Sequence, residues 1–350
     1  MLNLNRRKGT NMRKLTFSAM LVVLALMVVA VTWGFARRVT RPADLLEILP
    51  DGSGVAVIDF QKITGSALWT TVSAQQKLTG VIDKAQSEIA DLGLKLSDVR
   101  TIVLVFPAAN LNNPTVAING GFDQKDLLER LRSSSKVKLT SDKYKGFDVY
   151  TAKSVPPSDS KSPSGSISAN AATVRNETSF AFRDANTIVV GATEAVRASI
   201  DVMTGARQSI TQNSQLADGL AQNPSAAIRF AIVVTRSMTN GLQSSELPMP
   251  DFSSLKLIYG SIDVASGIDL NATLRTDNAE SARTIADRLN GLLGMARGYL
   301  GAANNPKSTP IVDALKAVSI TSSNNDVKIT GSFPADLLSS LFASVERKSQ

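Results

Sequence analysis

One uninterrupted apolar run, followed by a long alternation of two periodicities, organises this 350-residue chain. The run is Phe17–Phe35 (FSAMLVVLALMVVAVTWGF), 19 residues without a charge. As a helix rising 1.5 Å per residue it is about 28 Å long, the thickness of a bilayer's hydrocarbon layer. Phe17, Leu21, Leu24, Met27 and Val31 run along it. Trp33 and Phe35 stand at the far end, where aromatic rings suit the headgroup boundary. Arg13 and Lys14 precede the run, and Arg37 and Arg38 follow it. The pattern predicts a transmembrane helix over 17–35 behind a basic cytoplasmic segment, 1–16. Five basic residues before the span against three after it place the N-terminus inside, an excess that vanishes if translation starts at Met12. A start at Met12 would also leave the short basic n-region of a signal peptide, with a loose cleavage site after Ala36. The run exceeds the usual signal core and Arg37-Arg38 disfavour a cut, so an uncleaved anchor is expected.

Beyond Pro42 short alternating runs take turns with helical stripes. Ala43–Leu49 reads as a short helix ended by Pro50, and Val55–Phe60 as a strand too apolar for a sheet with one wet face, hence central. Gln75–Leu92 carries a helical stripe. Val99–Phe106 and Thr115–Asn119 read as strands, and Asp123 caps a helix with Leu127, Leu128 and Leu131 inward. A hairpin turning at Lys143–Gly146, strands at Ser179–Phe182 and Thr187–Val190, and a helix from Thr193 complete the first half. Segment 154–172 is rich in Ser and Pro, has almost nothing to bury, and is expected as a disordered loop.

The same order then recurs: a short helix at Leu216–Gln222, a strand at Ile228–Val234, and a hairpin of Leu255–Val264 with Ile268–Arg275. Asp277 and Glu280 form a capping-box pattern opening a helix to about Leu300. A hairpin turning at Asn324-Asn325 and a closing helix from Pro334, with Leu337, Leu338, Leu341 and Phe342 inward, follow. Ile268, Leu270, Ala272 and Leu274 alternate with Asp269, Asn271, Thr273 and Arg275, the mark of an antiparallel sheet with one wet face. The predicted fold is α+β, mainly antiparallel sheets with helices packed on one side. It comprises two related halves, 43–206 and 213–346, preceded by one transmembrane helix.

Three segments carry a resemblance. LLEILPDGSGVAVIDFQKITGSALW (Leu45–Trp69), FDQKDLLERL with YKGFDVY (within Phe122–Tyr150) and FRDANTIVVGATEAVRASI (Phe182–Ile200) resemble a group of uncharacterised bacterial envelope proteins. In that group an N-terminal membrane signal is followed by an "LLP" turn before an apolar strand ending in Asp. Tyr144, Gly146 and Tyr150 match its hairpin, and Val189, Gly191, Ala195 and Val196 its strand-to-helix joint. The resemblance implies a bacterial inner-membrane location with the C-terminal domain in the periplasm or outside. It transfers no active site.

Composition narrows the chemistry. The chain has no Cys and no His, which excludes disulfides, thiolate or imidazole metal sites and imidazole-based triads. Eight of the 38 basic residues, and no acidic ones, lie within residues 1–41, so residues 42–350 hold thirty of each sign. The formal charge of +8 is therefore a topology signal, and a nucleic-acid partner is not expected. Gly52/Gly54 and Gly120-Gly121 lack the context of a nucleotide loop. Ser133–Lys136, Ser158–Lys161 and Ser253–Lys256 match a Ser-x-x-Lys spacing without its companion motifs.

Two features remain. Asp59 and Asp263 each end or interrupt an apolar strand, where an acid could work in hydrolysis but more often holds turn amides. Gly291, Gly294, Gly298 and Gly301 share one narrow helix face in a stretch whose sole charge is Arg297. That face suits close packing within the fold, a partner helix or a membrane surface. The function expected is that of a membrane-anchored extracytoplasmic binding or scaffold protein, non-catalytic and without cofactor or metal. Its partners would be the bilayer, through the N-terminal helix, and another envelope protein. The alternatives are a carboxylate-dependent envelope hydrolase and a carrier holding an apolar or lipid ligand between the halves.

Overall fold

The computed structural model describes residues 42–73, 96–107, 113–135, 137–155, 177–236, 238–239, 250–302 and 309–346. The apolar run 17–35, the helix expected over 75–92 and nearly all of 154–172 lie outside them. Among the described residues no helix is long and apolar enough to cross a membrane.

The apolar alternation at Val55 makes β1 (Gly54–Asp59), which buries Val55 and Val57 on one face and Ile58 on the other. β1 is a central strand, pairing antiparallel with β2 (Val99–Phe106) along one edge and β8 (Ile228–Val233) along the other, and packed elements cover both its faces. The rest of the first run is β3 (Thr115–Gly120), β4 (Val137–Tyr144), β5 (Phe147–Ser154), β6 (Glu177–Asp184) and β7 (Thr187–Gly191). The second run adds β9 (Leu255–Asp263), β10 (Gly267–Thr276), β11 (Val318–Ser323) and β12 (Asp326–Pro334). All twelve form one antiparallel sheet, ordered β11-β12-β10-β9-β8-β1-β2-β3-β7-β6-β5-β4. The two runs thus share a single sheet, joined from Gly54↔Ile232 to Ile58↔Ile228.

The helices occupy both faces, which corrects the expectation of one-sided packing. On the face of Val55 and Val57 lie α1 (Pro42–Leu46), α5 (Thr193–Met203) and α6 (Ser214–Ala221), through Leu45, Val196, Ile200, Leu216 and Leu220. On the face of Ile58 lie α2 (Phe60–Thr64), α3 (Ala67–Ser73), α4 (Gln124–Ser133), α7 (Ala279–Ala302) and α9 (Ala335–Glu346). A short α8 (Thr309–Lys316) packs between α7 and α9. The physical reason is that β1, β2 and β3 are apolar at successive positions, so their sheet region cannot leave either side wet.

Local signals set the ends. Asp123 caps α4 by accepting from the amides of Lys125 (2.8 Å) and Asp126 (3.2 Å). Phe60, expected as the end of the strand, instead opens α2, because Asp59 accepts from the Lys62 amide at 3.1 Å. The long helix is capped one residue later than the capping box suggested: Asn278 Oδ1 accepts from the Ser281 amide at 2.8 Å. The hairpin turns take left-handed backbone, with φ of 49° at Lys145, 87° at Gly146 and 52° at Asn324. The wet face expected on β10 is present: Asp269, Asn271 and Arg275 are exposed, as are Lys328 and Thr330 beside them and Ser319 and Thr321 beyond.

Candidate functional site

The residues expected in the membrane anchor, Phe17, Leu21, Leu24, Met27, Val31, Trp33 and Phe35, lie outside the described residues, as do Arg13, Lys14, Arg37 and Arg38. The other candidates can be placed.

Asp59 and Asp263 do not converge. Asp59 ends β1 and Asp263 ends β9, with β8 between them, so two strand spacings of about 4.8 Å each separate their backbones. Each is engaged with nearby amides: Asp59 caps α2 and lies 3.7 Å from Lys62 Nζ, and Asp263 accepts from the Val264 amide at 2.8 Å. The sheet instead sets Asp263 directly opposite Asp269, across the hairpin that the sequence predicts. Asp269 accepts from Ser332 Oγ at 2.6 Å. No group of three or more acidic side chains that could hold a metal ion occurs among the described residues.

The glycine face falls on α7. Its first half packs onto the sheet through Ala282, Ile285 and Ala286. A Cβ added at Gly291, Gly294, Gly298 or Gly301 would meet nothing within 4 Å, so close packing within the described fold does not explain these residues. Arg297 does not belong to the outer surface. Its guanidinium turns inward, donating to the carbonyls of Leu315 (2.7 and 3.2 Å) at the end of α8 and of Val318 (2.9 Å) at the start of β11. Met295 and Tyr299 are 61 % and 81 % exposed, and with Val155 they are the large apolar side chains exposed among the described residues. Sequence periodicity placed the glycines but missed this pair, whose only signal was their position beside the stripe.

A groove of about 120 Å³ lies beside α6, lined by Gln215, Asp218, Gly219, Gln222, Lys256, Leu257, Tyr259 and Arg275. The Arg275 guanidinium forks onto Asp326 at 2.9 and 3.0 Å, donates to Tyr259 Oη at 3.1 Å, and lies 5.4 Å from the centre of that ring. The Asp326 carboxylate, by accepting from it, holds Arg275 above its ordinary value. The guanidinium is therefore committed to a structural clamp. The groove is several-fold smaller than the roughly 300–1,000 Å³ of ligand pockets and has room for waters.

Fold and surface together define an α+β protein on one wide antiparallel sheet, with an uncharged helical flank. No protein-family model and no curated protein matches the chain. Among solved structures it is similar to two crystal forms of TP0453. Crystal form I is 11 % identical with a TM-score of 0.42, over 88 % of this chain and 99 % of that one. Crystal form IV is 10 % identical with a TM-score of 0.43, over 85 % and 95 %. A likeness at that level brings no ligand or activity to this chain.

Proposed function

We propose that this is a single-pass membrane protein of the bacterial cell envelope, held by residues 17–35, whose sheet domain binds or scaffolds a partner outside the cytoplasm without catalysing a reaction. One observation carries it: the 19 uncharged residues of Phe17–Phe35 hold the chain's basic excess at their flanks, while residues 42–350 are electrically balanced. The dispersal of Asp59 and Asp263 into amide-binding roles supports a non-catalytic domain. The order strand, hairpin, helix, hairpin recurs on either side of the β1–β8 junction, with β4–β5 as an added hairpin in the first run, and supports two related halves. Among the described residues the β1–β8 pairing is continuous, which favours two halves built on one sheet over two halves that part around a ligand.

The chain has no cysteine, so one introduced at exposed Ser323 reports topology directly. In intact cells with a permeabilised outer membrane, a membrane-impermeant maleimide should label Ser323→Cys as fully as it does after lysis. Labelling only after lysis would put the domain in the cytoplasm and reject the proposal.

A further inference from the structure

We propose that α7 guards an edge of the sheet: Asn290 and Arg297 occupy backbone carbonyls of strand β11 and so keep a second copy of the chain from adding its own β11 there. The inference rests on the sheet and does not depend on the anchor.

Among the described residues the sheet ends at β4 on one side and at β11 on the other. A bare edge strand is a template for further pairing, and proteins blunt it with charge, proline, a bulge or a covering element. The β4 strand (VKLTSDKY) carries Lys138, Asp142 and Lys143. The β11 strand (VSITSS) has no charge, proline or glycine, and its Val, Ile and Thr favour strand pairing. Its own side chains therefore give the edge no protection.

The register shows which backbone groups are open. Ser323 and Asp326 flank a two-residue turn, so Ser319, Thr321 and Ser323 exchange hydrogen bonds with β12, while the backbone groups of Val318, Ile320 and Ser322 face away from it. Side chains of α7 take two of those outward carbonyls. Asn290 Nδ2 donates to the Ile320 carbonyl at 3.1 Å, and the Arg297 guanidinium donates to that of Val318 at 2.9 Å. Asn290 and Arg297 lie about two helical turns apart, hence on one face of α7. Leu289 and Ile320 join one apolar cluster, which holds the helix against the strand. Without the two donors, two copies of β11 can pair antiparallel about Ile320. Val318 then faces Ser322 of the other copy, whose amide would donate to the very carbonyl that Arg297 holds, and no like charges meet.

Sedimentation of the purified full chain in detergent tests this. Asn290→Ala/Arg297→Ala should self-associate at least about tenfold more tightly than the native chain. Adding Ser322→Pro, which removes an outward amide and no bond to β12, should return association to the native level. Asn290 is exposed, so Asn290→Ala keeps the fold even where the double variant loses it, and alone it should tighten association about threefold. A folded double variant no more associated than the native chain overturns the proposal. So does Asn290→Ala without a shift, or a dimer that survives Ser322→Pro.

Discussion

Glycine has opposite meanings at two places in this chain. At Gly219 an added Cβ would lie 2.9 Å from Ala231 Cβ and 3.0 Å from Tyr259 Cβ, so α6 reaches the sheet only because that side chain is missing. Gly219→Ala should lower stability by about 1–3 kcal/mol, seen as a lower urea midpoint. Gly294→Ala and Gly298→Ala meet nothing and should each raise it by up to about 1 kcal/mol, the helix-propensity difference. A loss at either would mean that the α7 glycines are packed within the fold. Asp59 is a cap, so Asp59→Ala should cost about 1 kcal/mol in the same measurement while Asp59→Asn stays near neutral.

Among the elements, the β4–β5 hairpin is fastened to α5 by a charge cluster. Asp201 accepts from Lys145 Nζ at 2.6 Å and from Tyr144 Oη at 3.0 Å. The hydrogen bond from Lys145 holds Asp201 below the ordinary carboxylate range, against the opposing effect of burial, and Asp201 in turn raises Lys145. A lowered carboxylate stabilises the fold above its unfolded-state value, and that contribution disappears as pH falls through the folded-state value. A raised lysine stabilises below its unfolded-state value and loses the contribution as pH rises through the folded-state one. The gap in unfolding midpoint between the native chain and Asp201→Asn should therefore be widest near neutral pH and close in strong acid. At the other end of the sheet, Arg297→Ala strips two partly buried carbonyls of their donor. It should cost about 1.5–3 kcal/mol and speed amide exchange in α8.

Much of this scale was legible in the chain. The Asp123 cap, the Lys145-Gly146 turn and the β10 alternation are local signals, and local chemistry decides them. Which side a helix takes was not legible. That depends on which neighbours cover β1, and a strand apolar at consecutive positions accepts a helix on either face. The inward turn of Arg297 was hidden for a similar reason, since its partner carbonyls lie 18 and 21 residues away.

At the scale of the whole molecule, twelve strands in one sheet join two runs of elements that the sequence presents only as a recurring order. The β1–β8 pairing that unites them comes from strands 169 residues or more apart, beyond any periodicity, so the sheet's continuity could not be read from the chain. The charge pattern, by contrast, is a property of composition alone and survives as the strongest indicator of where the protein works. All eight unbalanced basic residues flank one apolar run. The domain beyond it uses Asp59 and Asp123 as helix caps and Asp201 as a clamp on the β4–β5 hairpin. The anchor is the claim on which everything else hangs. The intact mass of the chain recovered from alkali-washed bacterial membranes tests it most directly. The predicted mass includes residues 17–35, whereas a mature chain beginning at Arg37 and found in the soluble fraction would contradict the account.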